Sequence, residues 1–299
     1  MSRAPRLLFA VPFHRHLAYL REAIASACAQ TCPDWRLVVF DDGGEEAEAV
    51  RALVADFADP RIAWRRNETT LGMAGNWNRA LDTAELDLVT LLHADDRLWP
   101  AYAETMLALA DTHPDAAALC CEAELIDATG RPTWTVADAV KRLLVPRAEP
   151  WTLRGEAGLR ALLRGDFVMC PTVLWRRSVL GARRFAPEWR QVQDLDLLTR
   201  LLLDGDAIVG THRTAYAYRR HEQSATSIQS ESLLRFEEEL ALYDRLADGA
   251  RARGWPGAAR SARRRAIVRL HLAFRALGDL AAGRAAAAGR KLRMAARSG

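Results

Sequence analysis

The chain opens with short apolar runs that alternate with longer segments of mixed polarity. "RLLFAVPF" (6–13), "WRLVVFDD" (35–42), "RIAWRRN" (61–67) and "LDLVTLLH" (86–93) have the length and aliphatic content of buried strands. Helical patterns lie between them: Leu17 to Gln30, with Leu20, Ile24 and Ala27 on one face, an acid-opened segment from Glu45 to Phe57, and one from about Met73 to Thr83. Pro100 opens a fourth helix, which closes before Pro114. This βαβαβαβ order predicts a parallel, doubly wound sheet. Ligands of such sheets bind beyond the carboxyl ends of the strands, where the chain order reverses.

The pattern continues with a strand "AAALCCEAELID" (116–127) and a turn "DATGRP" (127–132). Residues 131–155 carry prolines and tryptophans without a clear period, which predicts an irregular loop or lid. A helix near Glu156–Leu163, a strand "FVMCPTVLWRR" (167–177), a helix Asp194–Leu203 and a strand "AIVGTHRTAYAYRR" (207–220) complete the globular part. Beyond Glu231 the pattern is helical and rich in Ala and Arg, with a break at "RGWPG" (253–257).

Charge changes this picture at one place. The chain of 299 residues has a net charge of +4, yet 13 of its 42 Lys and Arg and only one of its 38 acids lie from Arg251 onward. The tail is therefore near +12 and residues 1–250 near −8, two separate electrostatic objects. The five cysteines (28, 32, 120, 121 and 170) form no CxxC pair with partner histidines and read as small core residues. No run approaches the length of a membrane span, and a cytosolic chain is expected.

Two strands end in paired carboxylates, Asp41–Asp42 and Asp95–Asp96, which a parallel sheet projects from one edge. The first pair also fits plain turn chemistry before a helix. For the second, Pro100 puts the helix cap at Trp99, too far along for either acid. Adjacent carboxylates at a strand end suit a hard divalent ion holding phosphate oxygens. Neither GxxxxGK[ST] nor a GxGxxG after the first strand is present, so a diphosphate binder here must use side chains and metal.

At this point the sequence resembles family 2 glycosyltransferases of the GT-A fold. The residues that carry the resemblance are "VPFHRHLAYLREAIASACAQTCPDWRLVVFDDGG", "NETTLGMAGNWNRAL", "LLHADDRLWP", "QVQDLDLLTRLL" and "YAYRRHEQSATS", in order over about residues 5–228. The resemblance implies an α/β fold with a GT-A type, doubly wound, mainly parallel sheet flanked by helices. A catalytic domain would span 1–230, with a nucleotide-binding half (1–115) and an acceptor-side half (116–230), followed by a helical basic extension (231–299).

It also implies roles. Asp42, or its neighbour Asp41, would bind the base or ribose of a nucleotide sugar, with Val11 and Pro12 lining that pocket. Asn78, or Asn76, would touch the nucleotide. Asp95 and Asp96 would hold Mn or Mg against the diphosphate, with His221 as a third ligand or a diphosphate contact, and Asp194 would be the general base. Asp196 reads instead as a helix first-turn acid favourable to the dipole. One departure stands out: the first acid of the family's DxD is His93, and imidazole ligates Mn but suits Mg poorly, so ribose contact or packing is the alternative for it.

The chemistry suits these residue types. Displacing a nucleoside diphosphate from an anomeric carbon needs charge stabilised on the leaving group and a carboxylate to take the acceptor proton on the opposite face, with inversion. The expected partners are a UDP-, GDP- or dTDP-sugar and a saccharide, lipid-linked or small-molecule acceptor. A sugar nucleotidyltransferase would need a Gly-rich basic loop that "VPFHRHLAYL" does not supply; an inert nucleotide-sugar binder is the rival from another class. In the tail, Ile267, Leu270, Phe274 and Leu277 form an amphipathic basic helix. It would pack on the domain or in a homodimer, or contact the inner membrane face peripherally. No nucleic-acid recognition module accompanies it.

Overall fold

The computed structural model describes residues 4–44, 46–222 and 233–296. Among them nine strands form one mixed sheet: β1 (Leu7–Phe13), β2 (Trp35–Asp41), β3 (Ile62–Arg66), β4 (Leu88–Leu91), β5 (Arg97–Leu98), β6 (Ala116–Ile126), β7 (Trp151–Leu153), β8 (Val173–Arg176) and β9 (Ala207–Arg219). Their order is β3-β2-β1-β4-β8-β6-β9-β5, with β7 on β9. The expected parallel pairings hold for β1 with β2 and β4, for β2 with β3, and for β6 with β9. β8 runs antiparallel between β4 and β6.

Alternation along the strands divides the core in two. Leu8 and Ala10 of β1, Val89 and Leu91 of β4, and Ala118 and Cys120 of β6 join one apolar cluster. Their neighbours Leu7, Phe9, Leu88, Leu119 and Cys121 join the other. Successive side chains of a strand point to opposite faces, so both faces of this sheet are covered. The second cluster holds α1 (Leu17–Cys28), α2 (Ala47–Asp56) and α4 (Tyr102–Thr112). The first holds α3 (Gly72–Thr83), α6 (Gly155–Leu162) and α8 (Gln193–Asp204), with α5 (Val136–Leu144) and α7 (Arg177–Leu180) completing this part. Cys120, Cys121 and Cys170 are buried, Cys28 and Cys32 half-buried, and all five are free thiols.

The basic extension folds as α9 (Leu234–Ala252), α10 (Pro256–Arg264), α11 (Ala266–Ala281) and α12 (Ala285–Ala296). Phe236, Leu240, Tyr243, Ala258, Val268, Leu272 and Met294 belong to the same cluster as the sheet residues. Its helices therefore continue the core. The face expected to pack is not the one that does. Val268, Leu272 and Ala276 are buried, whereas Leu270, Phe274 and Leu277 are 59–66% exposed and only Ile267 is partly covered.

Three other expectations change. The span 131–155 is ordered: Thr135 caps α5 by accepting from the amide of Asp138 (3.2 Å), a T-x-x-D signal present in the sequence, and β7 pairs with β9. The helix after Pro100 begins at Tyr102, and Arg97 and Leu98 before it form β5 against Ala217 and Tyr216 of β9. The strand expected over 167–177 shortens to β8, since Pro171 sits in a 3-10 turn at Cys170–Thr172. Glu45, Glu231 and the end of the 216–227 motif lie outside the described residues.

Candidate active site

A cavity of about 500 Å³ opens at the carboxyl ends of β1, β2 and β4, where the chain order reverses. At one end it is lined by Pro12, Asp42, Thr70, Gly72 and Asn76. Asp42 is held by three donors: Asn67 Nδ2 (2.8 Å) and the amides of Leu71 (2.8 Å) and Gly72 (2.9 Å). The turn chemistry expected of this acid thus operates across the sheet, with the carboxylate set against the N-terminus of α3, where free amides and the helix dipole favour an anion. Asn67, missed in the sequence reading, also donates to Asn76 Oδ1 (2.9 Å), and Asn76 donates to the Phe40 carbonyl (2.9 Å). Gly44 has no room for a side chain, since a Cβ there would lie 2.9 Å from the His14 carbonyl oxygen.

Three expected nucleotide contacts face elsewhere. Val11 is wholly buried in the sheet core, because in a strand its side chain points opposite to that of Pro12. Asp41 is also buried, one oxygen accepting from the Gly43 amide (3.2 Å), and lies outside the cavity lining. Asn78 donates to the Phe185 carbonyl (2.8 Å) and accepts from its amide (2.9 Å). That pair ties α3 to the loop before α8 and leaves Asn76 as the asparagine in the cavity.

The floor is the end of β4. His93, Asp95 and Asp96 bring ligand atoms within 4.8 Å of one another. His93 stacks on Trp77 at 5.4 Å between ring centres, and its buried Nε2 has no partner. Burial lowers its basicity, so the ring is neutral and offers a lone pair. Asp95 lies 3.0 Å from Nε2 of His221. Burial pushes its carboxyl up, but His221 and His93 outweigh this and hold it below the usual carboxylate range.

Asp96, the third member of that group, has its oxygens already engaged. It is fully buried and absent from the cavity lining, and it accepts from Tyr216 (2.9 Å) and from the Arg219 amide (2.7 Å). Burial and then the charge of Asp95 push its carboxyl well up. It anchors β9 behind the site. Arg219, itself buried, completes the anchor: Nε donates to the Asp95 carbonyl (2.6 Å), the guanidinium pairs with Glu22, and Tyr19 covers it at 4.5 Å.

The opposite wall carries Asp194, in the first turn of α8 and lining the cavity. Burial first, then the charge of Asp166, pushes its carboxyl up to about 7. Asp196, one strand-like step on in sequence but on another helix face, pairs with Arg200 at 2.8 Å. Asp166 is a second residue the sequence did not single out: it has a left-handed backbone (φ 44°), an unpartnered buried oxygen, and Lys141 at 3.8 Å. Lys141, Arg190, Arg220 and Arg235 add positive charge to the same walls. No local pattern marks these residues, since each reaches the cavity from a different element.

The sequence profile described as "Glycosyl transferase family 2" matches residues 9–180, more than half of the chain. The chain belongs to glycosyl transferase family 2. Among curated family relatives, the Escherichia coli protein named UDP-Glc:alpha-D-GlcNAc-diphosphoundecaprenol beta-1,3-glucosyltransferase WfgD is 37% identical over 79 residues, 26% of this chain and 30% of that one. The O-antigen biosynthesis protein RfbC of Myxococcus xanthus is 31% identical over 175 residues, 54% of this chain and 14% of that one. The chain spans less than a third of the length of the curated relatives it matches.

Solved structures show the same fold, with the mostly parallel central sheet and flanking helices of GT-A glycosyltransferases. S. aureus TarS 1–349 in complex with UDP-GlcNAc aligns with a TM-score of 0.61 at 17% identity, over 81% of this chain and 66% of that one. The mannosyltransferase PcManGT of Pyrobaculum calidifontis, in complex with GDP-Man and Mn2+, aligns with a TM-score of 0.60 at 16% identity, over 99% and 85%. No helix among the described residues is long and apolar enough to cross a membrane.

Proposed function

We propose that this family 2 member transfers a sugar, with inversion, from a nucleotide-diphosphate sugar to an acceptor hydroxyl, and that it uses a divalent metal. The observation that carries the reading is one cavity with three stations: Asp42 and Asn76 at one end, Asp95 with His93 and His221 on the floor, and Asp194 on the opposite wall. Pro12, Asp42 and Asn76 would receive the nucleotide of a UDP-, GDP- or dTDP-sugar. The nucleotide-sugar ligands of TarS and PcManGT support that donor class.

The donor set of the floor fits a metal. It joins the imidazole of His93 to the carboxylates of Asp95 and Asp96, and the orphaned His93 Nε2 is a lone pair in want of a partner. The imidazole in that set suits Mn better than Mg. When bound, the ion supplies neutralising charge for the departing diphosphate. The protein's own work is proton transfer and positioning. Asp194 takes the proton of the acceptor hydroxyl as that oxygen bonds to the anomeric carbon. The bond from that carbon to the diphosphate oxygen breaks on the other face, and the nucleoside diphosphate leaves with the electron pair. A single displacement of this kind inverts the centre. A carboxylate near neutrality is well matched to this role, because enough is ionised at pH 7 and its affinity for the proton is raised.

The free thiols fit a reducing, cytoplasmic compartment. Incubation with UDP-, GDP- and dTDP-sugars tests the whole reading by release of nucleoside diphosphate. Release with Mn that is lost with EDTA and in Asp95→Asn is expected. Donor binding without turnover under any condition would leave an inert binder, and equal turnover with Mn and EDTA would remove the metal.

A further inference from the structure

The helix beside the mouth of the cavity has its polarity reversed. Asp138 and Lys141 of α5 line the cavity, Asp138 bonded to Arg220 (2.9 Å) and Lys141 near Asp166. Leu144 packs inward, but three other apolar residues are open: Val136 is 55%, Val140 44% and Leu143 86% exposed, and Trp134 just before the helix 74%. Surface helices of globular domains carry the opposite arrangement. Turning charge toward a cavity and apolar area toward solvent on one short helix marks the outer face as an interaction surface.

A second unpartnered face lies nearby. On α11 the buried stripe is Val268, Leu272 and Ala276, and the open one is Leu270, Phe274 and Leu277. The two helices approach the same cavity: His271 of α11 meets Phe236 edge-on at 5.0 Å between ring centres, and Phe236 is next in sequence to Arg235. Arg235 and Lys141 both line the cavity. α5 and α11 thus both lie beside the cavity, each with an open apolar stripe. The helices before and after α11 in the chain carry exposed arginines, among them Arg263, Arg264, Arg290 and Arg293.

We propose that these two faces form a surface that seats on an anionic lipid bilayer and holds the cavity mouth at the headgroup layer. The charge selects this occupant. With the segment from Arg251 onward near +12, an anionic surface is attracted, whereas a second copy would set one basic tail against another. Leucine and phenylalanine flanked by arginine are the side chains of helices that lie in a membrane interface. The proposal deepens the transfer reading and rests on it for one corollary, that the acceptor entering from this side is lipid-linked.

The test is flotation of the full chain with vesicles of phosphatidylcholine alone or with about one-third phosphatidylglycerol, at about 0.1 M salt. Two variants accompany the wild type: Val140→Gln with Leu143→Gln, and Leu270→Gln, Phe274→Gln and Leu277→Gln together. Wild type should float with the anionic vesicles and at least about 10-fold less with the neutral ones, and each variant should lose about 10-fold or more of that binding. Donor hydrolysis at wild-type rate verifies that the variants are folded. Flotation with neither vesicle, variants that float like wild type, or a dimer in solution that the variants return to monomer would each overturn the proposal. Flotation with no donor hydrolysis in any form would instead remove the transfer reading and leave the surface standing.

Discussion

Replacing Asp194 by asparagine should do two opposite things. The side chain keeps its size but cannot take a proton, so transfer should fall by about 100-fold or more, the usual range for a lost general base. Stability should rise. The wild-type carboxyl is pushed from an ordinary 3.8 up to about 7 by burial and by Asp166, a gap worth on the order of 4 kcal/mol of disfavoured charge.

The sign of the pH dependence follows from proton counts. Between about pH 4 and pH 7 the folded chain keeps a proton that the unfolded chain has released, so stability falls as pH rises through that window. The full penalty is present above pH 7 and absent below pH 4. Asp194→Asn should therefore be more stable than wild type at pH 8 by as much as about 4 kcal/mol, and nearly equal to it at pH 4. Urea denaturation at the two pH values reads the stability, calorimetry the donor affinity, and product formation the transfer. Near wild-type transfer would place the base elsewhere. Loss of donor binding together with transfer would move Asp194 to the nucleotide or metal station, and a stability difference that does not change with pH would refute the origin given for its raised proton affinity.

Two further predictions concern residues that work through others. Asp166→Asn removes the negative charge that raises Asp194, so the acid limb of the pH profile of kcat/KM should move to lower pH; an unmoved limb would show that Asp166 does not act on the base. Arg219→Met leaves the Asp95 carbonyl without its donor, while Glu22 keeps Arg97, and should cost about 1–3 kcal/mol; a loss well below about 1 kcal/mol in urea denaturation would contradict the anchoring role.

Much of the fold was legible because it rests on local pattern. The aliphatic runs that became β1, β2, β4 and β6 are long enough and apolar enough to be covered on both faces, and their alternation with helical segments dictates parallel neighbours. β7 and the two-residue β5 were not legible, since each exists only through pairing with β9. The Thr135–Asp138 cap of α5 was present in the sequence but lay among prolines and tryptophans that hid the helix.

The acids of the site could be named from their positions at strand ends and at the start of α8, because strand direction carries them to one edge. Which member of each pair faces the cavity was decided by tertiary structure. Adjacent strand residues point to opposite sides, so Pro12 reaches the cavity while Val11 enters the core. Asp95 meets His221 while Asp96 is enclosed by Tyr216 and Arg219, partners more than a hundred residues away in sequence. The same holds for Asp194, whose proton affinity depends on burial and on Asp166 from another part of the chain, and for α11, whose periodicity revealed an apolar face but not that packing would use the other. Periodicity is a property of neighbouring residues. Burial and charge environment are sums over everything the fold brings near, and they exist only once the chain has closed.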